Sequence, residues 1–131
     1  GQGRYTWADG SFYEGAFLNN RKHGYGMYLG ADGSSYVGEY KNDRKNGTGT
    51  IKYANGDTYV GQIVDDVREG TGTYTWANGE SYTGQFKNNL KHGEGVYNWP
   101  APNARSYKGT FENGTIVIKD DEASKGSDLC S

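Results

Sequence analysis

Apolar and polar residues alternate along most of this chain with a period of two, the spacing of a strand with one face buried. Tyr13, Gly15 and Phe17 share one face of an extended segment. The same reading recurs at Tyr36, Gly38, Tyr40, at Tyr59, Gly61, Ile63, and at Tyr82, Gly84, Phe86. A second extended segment follows each of these: Gly24, Gly26, Tyr28, then Gly47, Gly49, Ile51, Tyr53, then Gly70, Gly72, Tyr74, Trp76, then Gly93, Gly95, Tyr97, Trp99. Rings and bare glycines thus fall on one face. Thr48, Thr50 and Lys52, or Thr71, Thr73 and Thr75, fall on the other, which reads as polar. No window carries the 3.6 period of a helix. Each unit therefore reads as a β-hairpin: a first strand, a polar loop such as Leu18 to His23, a second strand, and an Asp-Gly or Asn-Gly turn into the next unit.

The hairpins repeat. Tyr-x-Gly at Tyr13, Tyr36, Tyr59 and Tyr82 advances by 23 residues each time, as do the Gly-x-Gly pairs from Gly1 to Gly93 and the turn glycines Gly10, Gly33, Gly56 and Gly79. Three independent markers with one period identify a repeat protein. A fifth Tyr-x-Gly, at Tyr107, arrives 25 residues after the fourth, with the extra residues in the Pro-containing turn from Trp99 to Arg105. The fifth unit lacks Gly-x-Gly and reads as a tight Asn113-Gly114 hairpin that caps the array. Gly1 and Gly3 read as the second strand of an incomplete first unit, so the natural chain is expected to continue upstream. The predicted fold is an all-β, elongated, single-layer antiparallel meander of stacked 23-residue hairpins over residues 1–118. A polar, flexible tail is expected over residues 119–131.

Composition explains how such a sheet holds together. There are 22 Gly, 12 Tyr, 3 Trp and 4 Phe, so the apolar material lies in rings rather than in aliphatic side chains. Glycine inside a strand is unfavourable unless something needs the space. Here each glycine leaves a hollow in which a ring from a neighbouring strand can lie. No hairpin can bury its own rings, so stability comes from stacking units. The net charge of -2 argues against a nucleic-acid binder. Cys130 is the only cysteine, which leaves no disulfide framework and no cysteine metal site. The N-terminus has no signal-peptide pattern, and a cytoplasmic setting is expected.

Tyr-x-Gly-x-Phe/Tyr, a basic loop, Gly-x-Gly-x-Tyr and Asp/Asn-Gly at this step resemble the MORN repeat family. The fullest unit runs from Tyr82 through His92-Gly93-Glu94-Gly95 to Tyr97. The resemblance covers residues 1 to about 113 and implies a hairpin meander, elongated and sometimes dimeric. It implies cytoskeletal and ciliary scaffolds, junctional membrane proteins, or regulatory regions of lipid kinases, exchange factors and a lysine methyltransferase. The third unit departs from the pattern, with Ile63 in an aromatic position, Asp65 and Asp66 in the loop, and Arg68-Glu69 in place of Lys-His.

Two candidate surfaces follow. The ring-and-glycine face is expected to stay partly open as a groove, with Tyr28, Tyr53, Tyr74, Trp76, Tyr97 and Trp99 as contacts for a protein segment or a second copy. A basic column, Arg21, Lys22, Arg44, Lys45, Arg68 and Lys91, is expected to line one loop edge, where it would attract anionic phospholipid or keep the sheet soluble. His23 and His92 occupy the same slot three units apart, too distant to share a metal, and read as structural. No nucleophile, base and oxyanion donors converge, and Gly-x-Gly never opens a helix, so neither catalysis nor a cofactor is expected. The expected function is a scaffold or interaction module in a cytoskeletal or ciliary assembly. The alternatives are a membrane-association module and the regulatory region of a larger enzyme.

Overall fold

The structure is a computed structural model that describes residues 1–117; the tail expected over residues 119–131 lies outside the described residues. Two kinds of turn alternate along it, and the sequence accounts for both. Asn19-Asn20, Asn42-Asp43, Asp65-Asp66, Asn88-Asn89 and Asn113-Gly114 all have positive φ at both positions. That is the two-residue type I′ turn, whose twist matches the strands it joins and which Asn, Asp and Gly tolerate best. The six-residue loop expected from Leu18 to His23 is thus corrected to two residues, and Arg21, Lys22 and His23 already belong to the next strand. The Asp-Gly and Asn-Gly turns are wider. Trp7 N–H donates to the Ser11 carbonyl and Gly10 N–H to the Trp7 carbonyl. Gly10 closes this loop at φ 94°, a left-handed position that suits glycine.

Between the turns run β1 (Gln2–Thr6), β2 (Phe12–Leu18), β3 (Arg21–Leu29), β4 (Ser35–Lys41), β5 (Arg44–Lys52), β6 (Thr58–Val64), β7 (Val67–Thr75), β8 (Ser81–Lys87), β9 (Leu90–Trp99), β10 (Arg105–Glu112) and β11 (Thr115–Ile116). They form one antiparallel sheet in strict chain order. Eleven strands at ~4.8 Å make a sheet roughly 50 Å long, which is the elongated single layer expected. The last hairpin, β10–β11, turns at Asn113-Gly114 as the sequence predicts.

Successive units are clipped together at their turns. Asp43 N–H donates to the Lys22 carbonyl, and Lys22 N–H donates back to Asp43 Oδ1 at 2.7 Å. Asp66 repeats this with Lys45, and Asn89 with Arg68. A second clip comes from the slot of His23. Its Nδ1 accepts from Asn42 N–H, Asn46 Oδ1 accepts from Asp65 N–H, and Glu69 Oε2 accepts from Asn88 N–H. Three unlike residues do one job because each presents an acceptor. Asn89→Ala removes one clip and leaves at φ 71° a residue that tolerates the left-handed region less well than Asn. It is expected to cost about 2 kcal/mol, from the lost hydrogen bond and the left-handed strain. Asn89→Gly relieves the strain alone, so its urea midpoint should fall between those of Asn89→Ala and the parent.

The core is a single layer of rings on glycine. Tyr13, Tyr36, Tyr59 and Tyr82 are fully buried. Each lies over a glycine of the following strand, Gly26, Gly49, Gly72 and Gly95 in turn, in the hollows the sequence predicts. Their hydroxyls donate to the carbonyls of Ala16, Glu39, Gln62 and Gln85. A second column, Tyr40, Ile63, Phe86 and Phe111, packs against the first, its rings edge-on; Tyr59 and Tyr82 both meet Phe86 at 5.2 Å. Ile63 fills its aromatic slot at 1% exposure. The opposite face is not uniformly polar, contrary to expectation. Met27, Val37 and Val60 stand on it exposed, interleaved with threonines in the cross-strand register.

Candidate functional site

Beside the buried tyrosines runs a set of half-buried rings. Tyr53 meets Tyr74 at 5.7 Å, Tyr74 meets Trp76 at 4.7 Å, Trp76 meets Tyr97 at 5.3 Å, and Tyr97 meets Trp99 at 4.6 Å. These five of the six rings singled out in the sequence form one continuous ladder across β5 to β9 and the turns that follow. Tyr28 is separate. Its ring packs on Trp7, which in turn packs on Tyr5. The gap has a simple cause: the repeat positions that carry Trp76 and Tyr74 carry Gly30 and Ile51 in the preceding units.

The basic residues do not form the single edge expected of them. Each of the four hairpins from β2–β3 to β8–β9 has a register shift after its facing glycines. In the first complete unit Gly15 faces Gly26, but Phe17 faces Lys22. Lys22, Lys45, Arg68 and Lys91 share the parity of the strand glycines and so the ring face, and the shift sets them opposite Phe17, Tyr40, Ile63 and Phe86. Arg21 and Arg44 pair with Leu18 and Lys41 instead and stand exposed on the other side. Lys22 lies over Trp7, Arg68 over Tyr74 at 5.0 Å, and Lys91 over Trp76 at 5.3 Å and Tyr97. Rings and cations, read in the sequence as two rival surfaces, therefore make one.

Sequence reasoning missed three participants. Asp57 is buried and accepts from the Tyr74 hydroxyl and from Ala77 N–H. Glu80, one unit on, accepts from the Tyr97 hydroxyl at 2.5 Å. Burial, then the carboxylate each one faces, holds both phenols well above their usual range. The Tyr74 hydrogen bond holds Asp57 below the usual carboxylate range. The signal was an acid at Asp57 and Glu80 where the earlier units have Ser11 and Ser34. Arg105 is the third, lying over Trp99 at 4.6 Å. Burial first, then the charge of Arg68, lowers the pKa of Lys91.

His23 serves as a turn clip, and among the described residues no three His, Cys, Asp or Glu side chains gather as a metal site would need. No helix among them is long and apolar enough to cross a membrane.

A family model described as MORN repeat matches residues 1–12, 13–35, 36–58, 59–81 and 82–101. No curated protein matches the chain. Among solved structures, the chain is similar to the SAS-4 (dCPAP) TCP domain of Drosophila melanogaster, solved in complex with a proline-rich motif of Ana2 (dSTIL). The TM-score is 0.50 at 19% identity, over 85% of this chain and 60% of that one. The likeness is one of fold, and this chain spans less than two thirds of its neighbour's length.

Proposed function

The chain belongs to the MORN repeat family, and from that premise we propose that it is a non-catalytic interaction module whose ring ladder, Tyr53 to Trp99, binds an extended segment of a protein partner. The observation that carries this reading is the ladder itself. Five contiguous rings stay half-buried, four of them with a cation resting on them, beside a column of tyrosines that is fully buried. Rings left half wet gain most when a partner covers them. The solved neighbour, of the same open-sheet fold, is recorded with a proline-rich segment, which supports a peptide rather than a folded domain as occupant. Proline-rich segments are bound by aromatic-lined grooves in general. The setting we infer is a cytoskeletal or ciliary assembly.

A flat anionic membrane is the poorer fit. Arg21 and Arg44 lie on the opposite face, and Lys22 and Lys45 are paired with Asp43 and Asp66. The test is the double variant Trp76→Ala, Trp99→Ala, with Arg21→Glu, Arg44→Glu as control. Fluorescence anisotropy against a panel of proline-rich peptides should show binding at least tenfold weaker in the first and unchanged in the second, the loss expected for two hot-spot rings. Self-association that is lost in the tryptophan variant would make the occupant a second copy. Unchanged peptide binding by that variant overturns the reading.

A further inference from the structure

Four cations occupy equivalent positions on the ring face, but only two are neutralised. Lys22 reaches Asp43 at 3.7 Å and Lys45 reaches Asp66 at 3.9 Å. The next slot in that acidic series holds Asn89, which satisfies Arg68 N–H but brings no charge. The slot after it is filled by Gly114, whose N–H donates to the Lys91 carbonyl. Among the described residues no carboxylate comes within ion-pair distance of Arg68 or Lys91. The acids nearest the ladder, Asp57 and Glu80, are already engaged by Tyr74 and Tyr97. Two half-buried like charges thus sit over neighbouring rings of one ladder, Arg68 over Tyr74 and Lys91 over Trp76 and Tyr97, without a counter-ion. Among the described residues the Arg68 guanidinium donates only to neutral oxygens, the Tyr53 hydroxyl and the Asn89 carbonyl. Burial, then the charge of Arg68, lowers the proton affinity of Lys91. A half-buried cation without a carboxylate gains from an arriving anion more than one already paired.

The spacing says what shape that anion has. Arg68 lies in β7 and Lys91 in β9, two strands apart, or ~9.6 Å along the sheet. Trp76 and Trp99 stand one repeat apart and keep the same interval. A polyproline II segment advances ~9.3 Å every three residues and presents residues i and i+3 on the same side. A β-strand returns to the same side after only ~6.8 Å. A polyproline II chain laid across the strands therefore advances one turn per hairpin, and a β-strand does not.

Resting on the peptide reading above, we propose that the partner segment is acidic and proline-containing. It crosses the strands in polyproline II form, with carboxylates three residues apart on Arg68 and Lys91 and prolines on the rings between.

The probes are nine-residue labelled peptides: Glu-Pro-Pro repeated three times, the same with Gln for Glu, and one of equal charge with glutamates two residues apart. Anisotropy on the full chain should show the first binding about tenfold or more tighter than either other peptide. Lys91→Gln breaks no ion pair among the described residues, and circular dichroism checks its fold. In that variant the preference for Glu over Gln should shrink to about threefold or less. Equal binding of the Glu and Gln peptides, or a preference unchanged in Lys91→Gln, overturns the proposal. If such charge-blind binding still disappears in Trp76→Ala, Trp99→Ala, the ring-ladder reading survives. Failure of all three peptides at millimolar concentration, with phosphatidylserine vesicles bound instead through Lys91, overturns both; failure of all three without vesicle binding overturns the acidic-segment proposal.

Discussion

Gly72→Val should lower the urea midpoint far more than Thr73→Val, although the two positions are neighbours on one strand. A Cβ at Gly72 would fall on the Tyr59 ring, 2.5 Å from its Cζ. Tyr59 has nowhere to go. It is fully buried, its hydroxyl donates to the Gln62 carbonyl, and Phe86 meets its ring edge-on at 5.2 Å. A branched side chain at Gly72 must expel the ring, which forfeits a buried aromatic and opens the layer beneath Phe86. Loss of such a ring is worth about 3–5 kcal/mol. Thr73 points to the other face, where its hydroxyl meets that of Thr83 at 3.0 Å among exposed groups. Valine there loses one exposed hydrogen bond and keeps the β-branched shape, so the change should stay within about 1 kcal/mol. Because stability passes from unit to unit, the Gly72 variant should also loosen the hairpins on either side. Equal midpoints would show that the rings do not rest on these glycines.

The sheet order, the ring-bearing face and the last hairpin turn were legible in the sequence because each rests on a local rule. Alternation fixes faces, and Asn-Gly fixes the last turn. Which residue each cation faces was not legible, because it depends on the register shift beyond Gly15, Gly38, Gly61 and Gly84. Period-two reading already puts Lys22 on the same parity as Gly24 and Gly26. The expectation of a six-residue loop hid this by removing Arg21 to His23 from the strand. The pairing of Asp43 with Lys22 was hidden for another reason: it joins residues 21 apart, across two units. The six candidate rings divided where Gly30 and Ile51 interrupt the ladder, a break visible only once the units are aligned slot by slot.

Alkaline pH should unfold this sheet cooperatively between about pH 10 and pH 12. Tyrosine in an unfolded chain loses its proton near pH ~10. Burial pushes Tyr36 and Tyr59 up to about 12, Tyr36 with help from the Glu39 carboxylate. Burial also raises Tyr13, Tyr82, Tyr40, Tyr74 and Tyr97. A raised folded-state pKa means that the folded chain keeps protons the unfolded chain releases. The stability held by these phenols is complete below the unfolded value and drains away as pH climbs toward the folded one. About two units on a fully buried ring correspond to ~2.7 kcal/mol. Two such rings already remove a large part of a typical stability of ~5–15 kcal/mol, and five more push the same way. The tyrosines should therefore ionise together, when the sheet opens, rather than one at a time inside it. Tyrosinate absorbance and the β-sheet circular dichroism should change at one midpoint. Tyr59→Phe sharpens the expectation, since it removes an ionisation that opposes folding at high pH along with one hydrogen bond worth about 1 kcal/mol. It should be less stable than the parent at neutral pH, yet the difference should narrow or reverse above pH ~11. Phenol ionisation completed well below the loss of sheet signal would show that the rings reach water without unfolding, and that the glycine-lined layer is not the sealed core described.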